Sequence, residues 1–286
     1  MEIYSKFIGD NNKTFIKCFV NNSNVPNVIF FMTPIASVEH EIAMMNYKPL
    51  FEKGFNVFAI DLPGIGNSSN DKFSYNNIKV AITNTVEYIK SNYSDSIHLY
   101  GGTGTGGIIA QAIASDKEML FFKSFSQFGV ANHKDLSFIG NSILLKLFFP
   151  MLRIFTKIFP KYRVKFKLPK YNGHNAVKEN NWYRNVMEKN PGIFDLPLEV
   201  VYTLLWLLIS KDSPLKEMPH SPTLVMAAKY DRYFKEAYIN KYYYKLETDK
   251  RLHWIEDSHC VFAWGTIELT NKVADWINER ENKILS

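Results

Sequence analysis

Short apolar runs alternate with longer amphipathic segments along most of the 286-residue chain. The apolar runs lie at 14–20, 27–33, 55–61, 96–101, 120–126, 222–228 and 251–256. Segments with helical spacing lie at 39–53, 75–91, 105–115, 234–247 and 266–282. Continuous apolar runs that alternate with helices are typical of buried parallel strands. The pattern therefore predicts an α/β fold with a mostly parallel sheet flanked by helices and an antiparallel edge strand at 14–20.

The alternation stops between Gln127 and Ser213. Apolar and tryptophan-containing segments of helical character fill this stretch, and we expect prolines to break them at positions 150, 160, 169, 191 and 197. The stretch is therefore interpreted as an insertion and not as more sheet. We predict a core formed by residues 1–126 and 214–286, with a helical cap, or lid, at 127–213.

The composition suits one large core, with 46% apolar and 15% aromatic residues. The first residues lack the basic start and long apolar run of a secretory signal, and no uncharged apolar run approaches the roughly 18 residues that span a bilayer. The two cysteines, Cys18 and Cys260, are far apart and fit no metal-ligand spacing. We therefore expect a soluble, cytoplasmic protein without a disulfide framework, a metal ion or a cofactor.

The net charge of +6 comes from one stretch. Between Leu136 and Lys178 there are nine lysines and arginines and no acidic residue, so the rest of the chain is net negative. These charges are interleaved with apolar residues such as Leu147 and Phe155. The mixture argues against a nucleic-acid partner and leaves two interpretations. The stretch is either a cap helix that packs on the core with a solvated basic edge, or a peripheral membrane contact through 143–170.

A glycine-rich turn follows the apolar strand end at 97–100 and precedes a helical segment. Its sequence is Gly102-Thr103-Gly104-Thr105-Gly106-Gly107. Such a turn permits a sharp elbow, which lifts its central residue above the sheet and aims the next N–H at an oxyanion. A phosphate-binding turn also fits Gly102, Gly104 and Gly107. That interpretation is disfavoured, because the turn comes late in the chain and no Walker lysine follows.

This turn resembles the nucleophile elbow, G-x-S-x-G, of the α/β-hydrolase superfamily, with Gly104 where the family places its nucleophilic serine. The segment 54–68 resembles the family's D-x-P-G-x-G-x-S stretch, in which the aspartate, here Asp61, is mainly structural. The run 28–35 resembles the strand that leads to the oxyanion loop, although Thr33-Pro34 replaces the usual His-Gly. Because proline has no N–H, the resemblance implies that the oxyanion donors are the Ile35 and Thr105 amides.

Two later segments extend the resemblance. The run 222–231 places Asp231 at the end of a buried strand, as in the family's acid-bearing strand. The run 252–259 resembles the last strand and the loop that presents the catalytic histidine, here His259. The resemblance therefore implies an α/β-hydrolase fold with the order Gly104, Asp231 and His259 for nucleophile position, acid and histidine. It covers nearly the whole chain outside the cap.

Other interpretations exist for single residues. Asp231 could be a helix N-cap and His259 a loop histidine with satisfied hydrogen bonds, while His253 lies within the last predicted strand and is interpreted as structural. Cys260 is a poor substitute nucleophile, because adjacent residues in one backbone run usually point their side chains apart. Thr103 and Thr105 flank the apex of the elbow and are candidate substitutes for the missing hydroxyl, although neither occupies the position of the family's serine.

Without a hydroxyl at Gly104, the usual acyl-enzyme cannot form. One hypothesis is an esterase-like or lipase-like enzyme in which His259, oriented by Asp231, is a general base in direct hydrolysis, a lyase reaction or an isomerisation. The second hypothesis is a protein that binds a lipophilic ligand without turnover. The third is a serine-to-glycine change that traps a complex on an ordinary serine esterase or lipase. The departure of the neighbouring loop from His-Gly favours a native glycine.

The cap indicates the class of ligand. Its large apolar side chains include Phe148, Phe149, Phe155, Phe159, Trp182, Tyr183, Phe194, Trp206 and Leu207. A lid of this content favours an acyl or other lipophilic small molecule. The segment 181–191 also resembles the cap of monoacylglycerol-lipase-like and lysophospholipase-like members. The sequence carries no indication of an oligomeric state.

Overall fold

The computed structural model describes residues 1–10, 13–68, 71–102, 104–138, 142–165 and 170–282, without the side chains of 142–144. The strands are β1 (Glu2–Ile8), β2 (Thr14–Val20), β3 (Asn27–Phe31), β4 (Asn56–Ile60), β5 (Ile97–Gly101), β6 (Ser124–Phe128), β7 (Arg163–Lys165), β8 (Asp195–Pro197), β9 (Thr223–Tyr230) and β10 (Lys250–Ser258). The helices are α1 (Glu41–Glu52), α2 (Tyr75–Asn92), α3 (Thr105–Ala114), α4 (Ser142–Ile158), α5 (Ala176–Lys189), α6 (Leu198–Ile209), α7 (Glu236–Tyr243) and α8 (Thr266–Asn282).

The main sheet has eight strands in the order β1-β2-β4-β3-β5-β6-β9-β10. The pairs β1-β2 and β2-β4 are antiparallel, and every pair from β4 onward is parallel. The predicted α/β class with a mostly parallel sheet is therefore confirmed. Because these strands run in the same direction, the carboxyl ends of β3, β5, β6, β9 and β10 all lie at one edge of the sheet.

Alternate residues of each central strand face opposite sides of the sheet. Val28 and Phe30 of β3 pack with α1 and α8, whereas Ile29 and Phe31 pack with α2, α3 and α6. Both faces of the sheet are thus buried, which explains why the strands read as continuous apolar runs.

One predicted strand boundary was wrong and one strand was missed, so the predicted edge strand at 14–20 lies inside the sheet as β2. The apolar run 120–126 predicts a strand from its first residue, but β6 begins at Ser124, and Leu120 is 67% exposed in the preceding turn. Strand β1 was not predicted. Its two faces are too exposed to form an apolar run, and it is held by pairing with β2 along its whole length, from Glu2 opposite Val20 to Ile8 opposite Thr14.

The insertion between β6 and β9 contains α4, α5, α6 and the small antiparallel pair β7-β8. Pro150 was expected to break a helix, but it lies inside α4. A proline removes one hydrogen bond from a helix, and the packing of α4 on α6 outweighs that loss. Pro160, Pro191 and Pro197 do follow or precede helices, and Pro169 lies outside the described residues. No helix in the described part of the chain is long and apolar enough to cross a bilayer.

Candidate active site

The turn between β5 and α3 has the backbone conformation of a strained elbow. Gly104 has φ +52° and ψ −114° and is the N-cap residue of α3, where its carbonyl accepts a 3.2 Å hydrogen bond from the Ile108 N–H. A residue with a side chain rarely adopts this conformation. Space for a side chain is nevertheless present, since the nearest atom to a Cβ built at Gly104 is the Thr33 Oγ1, 3.8 Å away. The elbow therefore keeps room at the apex where the family's serine would stand.

Close packing fixes the first turn of α3 against the sheet. A Cβ at Gly106 would lie 2.5 Å from the Met32 carbonyl carbon, and one at Gly107 would lie 2.5 Å from the Phe128 carbonyl oxygen. Only glycine permits this approach. The start of α3 is thereby placed directly beside the ends of β3 and β6.

The two predicted oxyanion donors, Thr105 and Ile35, differ in the hydrogen bonding of their N–H groups. Thr105 is the first residue of α3, and the first N–H groups of a helix have no acceptor within it, so this amide suits a developing negative charge. The Ile35 N–H instead donates a 2.7 Å hydrogen bond to the Thr33 carbonyl. It would have to turn away from that carbonyl to bind an oxyanion. The Thr105 hydroxyl donates to the Thr33 Oγ1 at 3.2 Å, and Thr103 lies outside the described residues.

The loop after β3 is held by Asp61. Its buried carboxylate accepts hydrogen bonds from the Val38 N–H at 2.6 Å, the Ser37 hydroxyl at 2.8 Å and the Asn67 N–H at 2.8 Å. Burial raises the pKa of Asp61, and these hydrogen bonds oppose that rise. These three hydrogen bonds join the loop after β3 to the loop after β4, which fits the structural role implied by the resemblance.

The structure brings His259 and Asp231 together. Asp231 follows β9 and His259 follows the adjacent parallel strand β10, and the His259 Nδ1 lies 2.7 Å from the Asp231 Oδ2. The second carboxylate oxygen of Asp231 accepts the Tyr233 N–H at 2.7 Å and the Phe234 N–H at 3.0 Å. An acceptor on Nδ1 favours the tautomer in which that nitrogen carries the proton, which leaves Nε2 as the basic nitrogen. The pair therefore has the arrangement of a general base and the group that orients it.

Aromatic side chains surround the imidazole of His259. The ring of Tyr233 lies 4.7 Å away edge-on, that of Phe234 at 6.0 Å and that of Phe262 at 6.4 Å, measured between ring centroids. Phe262 in turn contacts Trp182 of α5, at 5.5 Å between centroids. The cap thus contributes to an apolar wall beside the histidine.

A buried ion pair links the cap to this site and was missed by the sequence reasoning. Glu179 of α5 is 1% exposed, and its Oε1 lies 3.2 Å from a guanidinium nitrogen of Arg232, next to Asp231. The other oxygen of Glu179 accepts the N–H of Cys260, next to His259, at 3.4 Å. Arg232 itself lies over the rings of Tyr171 and Tyr233. Arg232 follows a predicted site residue and could have been noticed, but nothing in the sequence around Glu179 distinguishes it.

Two other residues considered from the sequence, Cys260 and His253, are not suited to a catalytic role. Burial strongly raises the pKa of the Cys260 thiol, which makes it unreactive. His253 is paired with Glu268, at 3.1 Å between Nε2 and Oε1. No group of three histidine, cysteine or acidic side chains within the described ranges could hold a metal ion. A cleft of about 570 Å³ lies between the loop after β3 and the cap, lined by Ile35, Ser37, His40, Asn67, Arg163 and Asn190 among others.

A family model described as Hydrolase_4, serine aminopeptidase, S33, matches residues 45–262. The chain belongs to this family. The match spans Gly104, Asp231 and His259, and it confirms membership of the α/β-hydrolase superfamily. A search of curated proteins by sequence found no match to this Hydrolase_4 member.

Solved structures agree on the fold. A soluble variant of monoglyceride lipase from Saccharomyces cerevisiae, in complex with a substrate analogue, is similar with a TM-score of 0.69 and 14% identity, over 98% of this chain and 95% of that chain. The monoacylglycerol lipase of Paleococcus ferrophilus has a TM-score of 0.68 and 15% identity, over 98% and 100% of the two chains. The α/β hydrolase GrgF from Penicillium sp. sh18 has a TM-score of 0.72 and 14% identity, over 98% and 99%.

Proposed function

We propose that this Hydrolase_4 member is an enzyme that cleaves a lipophilic ester, thioester or related carbonyl compound, with His259 and Asp231 as its catalytic pair and no serine nucleophile. The observation that carries the proposal is the 2.7 Å hydrogen bond between these two side chains, at the sheet edge where the elbow also lies. The similarity to a monoglyceride lipase and to a thioesterase domain from the curacin biosynthetic pathway supports this range of substrates.

The reaction would use water in place of the absent hydroxyl. The open space beside Gly104 would hold a water molecule, and the His259 Nε2 would take one of its protons as its oxygen attacks the carbonyl carbon. The Thr105 N–H would stabilise the oxyanion, with Ile35 as a second donor if its amide turns. Collapse of the tetrahedral intermediate would expel the alcohol or thiol, which would recover the proton from His259. Asp231 would stabilise the imidazolium throughout.

The apolar wall supports a lipophilic substrate. Trp182 and Phe262 extend from the cap to the histidine, and such surfaces favour acyl chains over charged groups. A ligand held there would present its carbonyl to the histidine.

Hydrolysis of a panel of acyl esters and acyl thioesters of increasing chain length tests the proposal. His259→Ala should lower kcat by about 10²-fold or more, the usual contribution of a general base. Gly104→Ala should also lower kcat, because its methyl group would enter the space proposed for the water. His253→Ala is the matched control, since it removes a histidine of the adjoining strand that pairs with the exposed Glu268. If no substrate is turned over while fatty ligands stay bound through purification, the protein is a binding homologue and the enzyme proposal is wrong.

A further inference from the structure

Helix α4 exposes an apolar face to the outside of the molecule. Six of its side chains are between 49% and 67% exposed, namely Leu147, Phe148, Met151, Ile154, Phe155 and Ile158. Their spacing places them along one side of the helix. Phe159 and Tyr162 continue the same exposed surface past its end, at 56% and 67%. A contiguous apolar surface of this kind marks a contact with another molecule or phase.

The opposite side of α4 already has its packing partner. Phe149 stacks on Tyr202 of α6 with 5.3 Å between ring centroids, and Thr156 is only 5% exposed. The chain after α4 is also tied to α6, since the Leu198 N–H donates to the Tyr162 carbonyl at 2.7 Å. The exposed face therefore cannot turn inward without breaking these contacts.

A row of basic side chains flanks the apolar face. Lys146, Arg153 and Lys157 are exposed, and their spacing of seven and then four residues places them in one line along α4. None of the three forms an ion pair with a carboxylate in the described part of the chain. Lys161 and Lys165 extend the positive charge, and no acid occurs between Leu136 and Lys178.

We propose that α4 docks this protein on the surface of an anionic lipid bilayer. The apolar face would enter the boundary between headgroups and acyl chains, and the basic row would contact the anionic headgroups. A nucleic acid would leave the apolar face in water. A second copy packed through the same α4 face would bring two basic rows together, with no acid between Leu136 and Lys178 to pair with them. An anionic membrane surface provides acyl chains for the apolar face and negative headgroups for the basic row.

Co-sedimentation with lipid vesicles tests the proposal. The full chain should bind vesicles of two parts phosphatidylcholine to one part phosphatidylglycerol, bind vesicles of phosphatidylcholine alone far more weakly, and be released by salt. The triple variant Lys146→Gln, Arg153→Gln, Lys157→Gln should bind the anionic vesicles on the order of a hundredfold more weakly, from roughly fivefold per basic residue. The matched control changes the exposed Lys13, Lys211 and Lys245 to glutamine and should bind nearly as well as the original protein.

A second variant tests the apolar face of α4. Ile154→Ser with Phe155→Ser should abolish vesicle binding, whereas Leu120→Ser with Ile267→Ser, at sites 67% and 68% exposed, should not. Because all these sites are exposed, circular dichroism and gel filtration should show folded protein in every case. The proposal is overturned if the original protein does not bind anionic vesicles. It is also overturned if Ile154→Ser with Phe155→Ser instead dissociates a dimer in analytical ultracentrifugation while vesicle binding is unchanged.

Discussion

Replacement of Gly104 by serine is the sharpest test of the site. The space is available, because a Cβ at this position has no neighbour nearer than the Thr33 Oγ1 at 3.8 Å. The cost is in the backbone, since φ is +52° and ψ is −114°, a conformation that costs a residue with a side chain about 1–3 kcal/mol. For a chain of this size that corresponds to a fall in melting temperature of about 2–4 °C per kcal/mol.

The gain is a hydroxyl at the apex of the elbow. If His259 is placed as in a serine hydrolase, its Nε2 will take the proton of the new serine, and the oxygen will attack an electrophile. Gly104→Ser should therefore react covalently with a fluorophosphonate probe, whereas the original protein should not. Adding His259→Ala to Gly104→Ser should slow the labelling by about 10²-fold or more, the typical contribution of a general base.

Labelling is measured by intact-protein mass spectrometry, and melting by calorimetry. Gly104→Ala is the matched control, because it carries the same backbone cost without the hydroxyl. If Gly104→Ser is as stable as Gly104→Ala and yet remains unlabelled, His259 is out of reach of the apex and the proposed site geometry is wrong. Strong labelling of the original protein would refute the statement that it has no activated serine.

Three further predictions concern stability. Glu179→Ala removes the carboxylate from a buried ion pair with Arg232 and should lower the free energy of unfolding by about 3 kcal/mol. Urea titration measures this loss, and a value below about 1 kcal/mol would contradict a strong ion pair. Burial lowers the pKa of His98 below 6.5, and hydrogen bonds, first that with His98, lower the pKa of Glu281 to about 2. The unfolded chain therefore binds more protons, so stability should fall as the pH drops below 6.5 and again below 4.5. His98→Gln should make the first fall smaller, and the part that remains comes from His133, whose pKa burial also lowers. An unchanged urea midpoint profile in His98→Gln would contradict this. Gly107→Ala would place a methyl 2.5 Å from a main-chain oxygen and should cost about 1–3 kcal/mol, seen as a lower melting temperature; an unchanged value would show that α3 can shift.

The central strands were predictable because both faces of each are buried. The continuous run from Val28 to Phe31 is apolar for that reason. Hydrophobicity misplaced β6, because Ser124 and Gln127 are buried within it while Leu120 is exposed before it. Ser124 is tolerated there because its hydroxyl hydrogen-bonds the buried His98 Nδ1 at 2.8 Å. Such pairing between strands distant in sequence cannot be inferred from one segment alone.

The contact between Asp231 and His259 was predictable for a different reason. Asp231 and His259 each follow an apolar strand, and parallel strands bring their carboxyl ends together. The contact between Glu179 and Arg232 was not predictable, because it depends on how the cap packs over that edge. The hydrogen bond from the Ile35 N–H to the Thr33 carbonyl was also not predictable, because the local turn determines it.

The elbow and the Asp231–His259 pair have different weight as evidence for catalysis. The elbow backbone follows from the close packing at Gly106 and Gly107, so it would persist in a protein that only binds a ligand. The pair is different, because a buried carboxylate is costly unless it is fully hydrogen-bonded. Asp231 meets that cost with two backbone amides and directs its remaining oxygen to His259. A turn held by those two amides does not require an imidazole on the other carboxylate oxygen, so this hydrogen bond is the stronger argument for an enzyme.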